Sequence, residues 1–175
     1  MRASAKPRIV VAGTAGGVGT TTVAALIAHQ IGTIDLLDHS GGGLAARGAV
    51  DGLTPGGTHE LLDLGAHALD SDAIHAPTAI PVIVTAATPV GISLAKDLRR
   101  SFPSSRPALM VLVEAFGRHD LGSARRMFSG EVGRGATTII PQDRALSPGG
   151  PIPHERISAR TRDEITRLVG RIQRY

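Results

Sequence analysis

The stretch Gly13-Thr14-Ala15-Gly16-Gly17-Val18-Gly19-Thr20-Thr21-Thr22 carries the residue types and spacing most able to do chemistry. It follows a short aliphatic run and precedes a helix-compatible one, so it links a strand to a helix start. Backbone N–H groups at a helix N-terminus have no intrahelical partner, and the helix dipole favours negative charge there, which suits such a turn to phosphate. Gly16, Gly17 and Gly19 let the backbone wrap an anion without Cβ clashes. Thr21 stands where a hydroxyl can reach a phosphate-bound Mg²⁺. Against the spacing G-x-x-x-x-G-K-[S/T], Thr14 replaces the first glycine and Thr20 the lysine. The backbone of a phosphate cradle is present and its cation is missing.

Other chemistries find less support. His39-Ser40-Gly41-Gly42-Gly43 has the look of a glycine-rich oxyanion loop, but the chain has no G-x-S-x-G elbow to supply a nucleophile. The seven histidines include no pair at i, i+4, and there is no cysteine, so metal-ligand spacing and thiolate chemistry are both absent.

The glycine loop needs elements to position it, and the hydrophobic pattern supplies them. Strands are expected at Arg8–Ala12, Thr33–Leu37, Glu60–Leu64, Pro81–Ala86, Leu109–Glu114 and Thr137–Ile140. Helices are expected at Thr21–Ile31, weakly near Leu69–His75, and at Val90–Arg100, Leu121–Phe128 and Ile157–Ile172. Alternating strands and helices imply a doubly wound, mostly parallel sheet flanked by helices, with right-handed crossovers. Ser40–Thr58, with seven glycines and one proline, reads as a long loop.

The 175 residues fit a single α/β domain over 1–175, with a flexible N-terminus at 1–7 and the Gly-rich loop at 40–58. Hydrophobic residues are 42% of the chain but aromatics only 2%, so the core must be aliphatic, as a sheet covered on both faces requires. The same scarcity of aromatics argues against a stacking platform for single-stranded nucleic acid. No run approaches a membrane span and no signal peptide is evident, so a cytoplasmic protein is expected. Residues 1–87 hold 4 Lys/Arg against 7 Asp/Glu, whereas 88–175 hold 15 against 8. The final helix carries Arg160, Arg162, Arg167, Arg171 and Arg174 beside the apolar Ile165, Leu168 and Ile172. Its stripe can cover a sheet, or the basic amphipathic helix can dock on anionic lipid.

The run Ala15-Gly16-Gly17-Val18-Gly19-Thr20-Thr21-Thr22 resembles the deviant Walker A loop of the MinD/ParA partition ATPases, with Ala15 and Thr20 replacing its two lysines. Other landmarks follow in that family's order: Ile34–Asp38, Leu61–Gly65, Pro81–Pro89, and Ile140–Leu146 trailed by Gly149–Ile152. The resemblance implies a P-loop NTPase fold binding ATP or ADP with Mg²⁺. The cofactor would be held by Gly16, Gly17, Val18, Gly19, Thr20, Thr21, Thr22, Pro141 and Asp143. Thr21 and Asp38 would hold the metal, and Asp38 and Asp63 would be catalytic. Glu114 stands where family members often carry an asparagine that reads adenine. Loss of both cations from a reaction catalysed by positioning and charge implies little or no hydrolysis. The expectation is thus a degenerate, regulatory or positioning member with protein partners, a homodimer across the glycine-loop face, or a membrane surface reached through the C-terminal helix. The alternatives are a nucleotide-free scaffold and an ATPase with a replacement cation.

Overall fold

The computed structural model describes residues 6–49, 54–67, 71–114, 122, 126, 128, 136–147 and 149–175. Six strands, β1 (Arg8–Gly13), β2 (Asp35–Asp38), β3 (Glu60–Asp63), β4 (Ala79–Ala86), β5 (Leu109–Val113) and β6 (Thr137–Ile140), form one sheet in the order β2-β3-β1-β4-β5-β6. Every pairing is parallel. The helices are α1 (Thr20–Ile31), the short α2 (Gly43–Ala46), α3 (Pro89–Arg100) and α4 (Ala159–Ile172).

Strand alternation divides the core between the two faces of the sheet. Ile9 and Val11 of β1 join Val23–Ala28 of α1 and Ile165, Leu168 and Ile172 of α4 on one face. Val10 and Ala12 join Ile92, Ala95 and Leu98 of α3, with Phe102 and Phe128, on the other. α1 leads from β1 toward β2, whereas α3 leads from β4 toward β5, so the connections part between neighbouring β1 and β4. Open parallel sheets bind ligands at such a divergence, at the carboxyl ends of the strands.

Several boundaries differ from expectation for local reasons. β2 starts at Asp35, because Thr33 forms an isolated bridge with Thr54 and the Ile34 amide donates to the Thr54 carbonyl at 3.1 Å. The segment 40–58 is not loop throughout: Gly43–Ala46 is helical, its first amides taken by Ser40 and Asp38. Asp72–His75 is a 3-10 turn, while residues 69 and 70 of the expected helix lie outside the described residues. Of the helix expected at 121–128, Gly122, Arg126 and Phe128 are helical and the rest lies outside the described residues, as do 1–5 of the N-terminus. The last helix starts at Ala159, not Ile157, because the Ser158 hydroxyl caps it by accepting from the Thr161 amide.

The apolar stripe of α4 packs on the sheet. Ile165, Leu168, Val169 and Ile172 are all buried, while Arg160, Arg162, Arg167 and Arg174 face solvent. Arg171 donates from its guanidinium to the Thr137 carbonyl and the Thr138 hydroxyl on β6. The amphipathic face is therefore used by the fold itself. Among the described residues, no helix is long and apolar enough to cross a membrane. Leu168→Ala should cost about 2–5 kcal/mol through lost burial and a residual cavity. Urea unfolding would check this, and a loss below about 1 kcal/mol would mean that the helix does not seal this face.

Candidate functional site

The glycine loop is held from both sides of β1. The Gly13 amide donates to the Gly65 carbonyl at 2.7 Å, and the Thr14 amide donates to the Val84 carbonyl at 2.9 Å. Thr14, where the motif has glycine, is buried; its hydroxyl donates to the Thr85 hydroxyl at 2.9 Å, and Thr85 in turn donates to the Gly91 carbonyl at 2.8 Å. This chain fixes the start of the loop to β4 and the first turn of α3.

The chain then turns into α1 through Gly17 and Gly19, both in the left-handed region at φ 75° and 91°. Only glycine adopts that conformation cheaply. No side chain caps α1, and its first turn holds no acid, so its positive end stays exposed to the solvent side of the loop. Thr20 is buried and its hydroxyl folds against Gly13, which must lack a side chain for that reason.

Asp38 and Asp63 are register partners at the C-terminal ends of β2 and β3. Their surroundings differ. Asp38 Oδ1 accepts from the Ser40 amide (2.8 Å) and hydroxyl (2.5 Å), and Oδ2 accepts from the Leu44 amide (3.0 Å). Burial pushes its pKa up, but these donors outweigh burial and the net shift is downward. Asp63 is fully buried; Oδ1 accepts from the Gly65 amide at 2.9 Å, while Oδ2 has no hydrogen-bond partner. Burial, reinforced by the Asp38 charge, raises its pKa despite the Gly65 amide. Thr21, Asp38 and Asp63 thus meet around Ser40.

Thr21 also lines a cavity of about 510 Å³. Its lining includes Gly17, Gly19 and Thr20–Val23 from the glycine loop and α1, together with Glu114, Pro141, Gln142, Asp143, Leu146 and Ser147. Pro141 and Asp143 therefore line the same space as the glycine loop, although Asp143 has a second task. Its Oδ1 accepts from the Ala145 amide, and its Oδ2 from the Ser158 amide and the Thr161 hydroxyl, which ties the loop to the start of α4. Burial would raise the Asp143 pKa, but those donors hold it below the ordinary value. Glu114, 4% exposed, stands at the end of β5, its amide on the Ile140 carbonyl.

Two hard carboxylates and a hydroxyl, with an unsatisfied buried oxygen at Asp63, form a donor set that suits Mg²⁺, an ion that keeps several waters and phosphate oxygens as ligands. Among the described residues there is no cluster of three or more His, Asp or Glu side chains able to hold a metal alone. Any ion here would need ligand from a bound phosphate.

The sequence reading missed Arg47. It follows α2, lines the cavity, and its guanidinium donates to the Thr22 hydroxyl at 2.6 Å and to the Leu146 and Gly150 carbonyls at 2.9 and 3.3 Å. A signal was available, since Arg47 is the single Lys or Arg between Arg8 and Lys96. No family model matches the chain, and no curated protein is significantly similar to it.

The raised Asp63 pKa means that the folded protein holds this proton more tightly than the unfolded chain. Asp63 therefore costs stability above its ordinary value of 3.8, increasingly as pH rises through the raised folded value. Asp38 and Asp143, with lowered pKa values, stabilise above 3.8 and lose that contribution as pH falls below it. In Mg²⁺-free buffer, Asp63→Asn should raise the melting temperature near neutral pH, with an advantage that shrinks as pH approaches about 4. Melting curves across that range would check it. An advantage that is absent, or that grows on acidification, would contradict the electrostatic reading of this pair.

Proposed function

We propose that the chain is a degenerate P-loop protein of the MinD/ParA type that binds a nucleotide phosphate weakly, hydrolyses it poorly, and works through protein partners as a regulatory or positioning factor. One observation carries this reading. One cavity is lined both by the uncapped start of α1, with Thr21, and by Pro141, Asp143 and Leu146, and Asp38 and Asp63 are register partners at the ends of β2 and β3.

The roles follow from the chemistry of each group. The amides from Gly16 to Thr22 would hold phosphate oxygens, with Val18 buried to anchor the turn. Thr21 and Asp38 would hold Mg²⁺, which supplies charge neutralisation on the phosphates when bound. Asp63 would accept from the waters of that ion, and Pro141 and Asp143 would border the base. Neither Ala15 nor Thr20 brings a cation to the terminal phosphates. A preorganised donor at a developing charge is worth about 3 kcal/mol or more, so loss of two implies turnover near background. A homodimer across the glycine-loop face and a cytoplasmic setting remain part of this proposal. The ligand-free scaffold is favoured by one contact, because Arg47 already bridges Thr22 and Leu146 across the cavity wall.

Calorimetry and thermal shift with Mg-ATP, Mg-ADP and Mg-GTP test the reading. Binding to at least one is expected; no heat and no shift with any would leave the scaffold. Thr20→Lys should tighten Mg-ATP by roughly tenfold if the loop amides are aligned on phosphate. Unchanged affinity in a folded Thr20→Lys protein would count against that alignment. Phosphate release should stay near background and be indifferent to Asp38→Ala, whereas robust turnover abolished by that change would establish the replacement-cation ATPase.

A further inference from the structure

We propose that His29 and His154 form a pH-sensitive clasp that holds the 149–157 segment against α1 at neutral pH and loosens it on acidification. The segment begins at Gly149, which lines the cavity, and ends just before α4. Its attachment matters whatever the cavity binds.

The two imidazoles stack with ring centroids 3.5 Å apart and planes inclined by 12°. His29 is exposed and lies in the last turn of α1. His154 is half-buried and opens a 3-10 turn over His154–Arg156. The other attachments of the segment do not titrate near neutrality. The Arg47 guanidinium donates to the Gly150 carbonyl at 3.3 Å, and the Ile152 amide donates to the Arg47 carbonyl at 3.2 Å. Ile152 and Ile157 are buried in the same apolar cluster as Val23–Ala28 of α1. Between these two anchors, Pro153 and His154 are half-buried and Glu155 and Arg156 are exposed, and the ring stack joins this stretch to the helix.

Neutral imidazoles stack through their π faces, and one proton leaves a cation over a neutral ring. A second proton sets two cations 3.5 Å apart, centre to centre. The last turn of α1 accommodates positive charge on His29, because the negative end of the helix dipole faces it. Resistance therefore falls on His154. Burial first, then the His29 charge, hold its pKa below the ordinary 6.5, against an upward pull from Glu155. The charges acting on His154 thus come from His29 on α1 and Glu155 in its own turn, which also carries the exposed Arg156. In the folded protein His154 binds its proton less readily than in the unfolded chain. Its contribution is therefore intact above about 6.5 and is lost as pH falls through that value toward the lowered folded one. Asp143, which ties the neighbouring loop to α4, has its pKa held below 3.8 and stays charged across this range.

The experiment is hydrogen exchange at about pH 7.5 and 5.0, corrected for intrinsic rates, with histidine titration by NMR, on wild type, His29→Gln and His154→Gln. Acidification should lower protection across 149–157 by roughly tenfold in wild type, while α4 changes by less than about twofold. His154→Gln should remove that difference. His29→Gln should shrink it and raise the titration midpoint of His154. An undiminished acid loss in His154→Gln would overturn the clasp, as would a His154 midpoint unmoved by His29→Gln. Equal losses across 149–157 and α4 in wild type would overturn it too, because acid would then weaken the whole fold and not this attachment.

Discussion

The Gly13 amide reaches 2.7 Å to Gly65 on β3, and the Thr14 amide 2.9 Å to Val84 on β4, so the end of β1 is gripped by both neighbours before the chain turns. The turn into α1 passes through left-handed glycines and leaves the helix without a side-chain cap. A buried helix start would demand partners for its amides, so this one must face solvent or a ligand. The sheet order supplies that opening, because connections from β1 and β4 leave in opposite directions. The cavity, the exposure of Gly17 and the approach of Thr21 to the carboxylates all depend on this junction.

Two like charges at the ends of adjacent strands are then separated by their donors. Asp38 receives three hydrogen bonds from the turn that starts α2, which keeps it ionised. Asp63 lies deeper with one oxygen unsatisfied, and burial favours its protonated form. A cation or a donor arriving above the pair would satisfy that oxygen. The local geometry at Ser40 thus sets different acidities in two residues of the same type.

Substitution at the loop changes where charge resides more than whether the loop exists. Thr14 and Thr20 are both buried, and their hydroxyls serve the packing of β1 against β4 and α1. The positive charge lining the cavity comes instead from a residue after β2, held by Thr22 and Leu146.

The sequence by itself determined the alternation of elements, the parallel sheet and the glycine turn, because aliphatic runs and left-handed glycines leave few alternatives. Asp38 and Asp63 were legible as strand-end carboxylates, and Ile165, Leu168 and Ile172 as one helical face. The helix hidden at Gly43–Ala46 was not, since its stability comes from Asp38 and Ser40 capping a glycine-rich run of poor intrinsic propensity. Arg47 was not legible as a cavity residue either. It lies 25 residues from Thr22 and 99 from Leu146, and only the packing of α2 beside α1 and the β6 loop brings the three together. Local propensity and periodicity act over a few residues. Which side chain faces an open cavity, and which turns back into the core as Thr20 does, depends on contacts between distant segments, and the tertiary structure alone decided it.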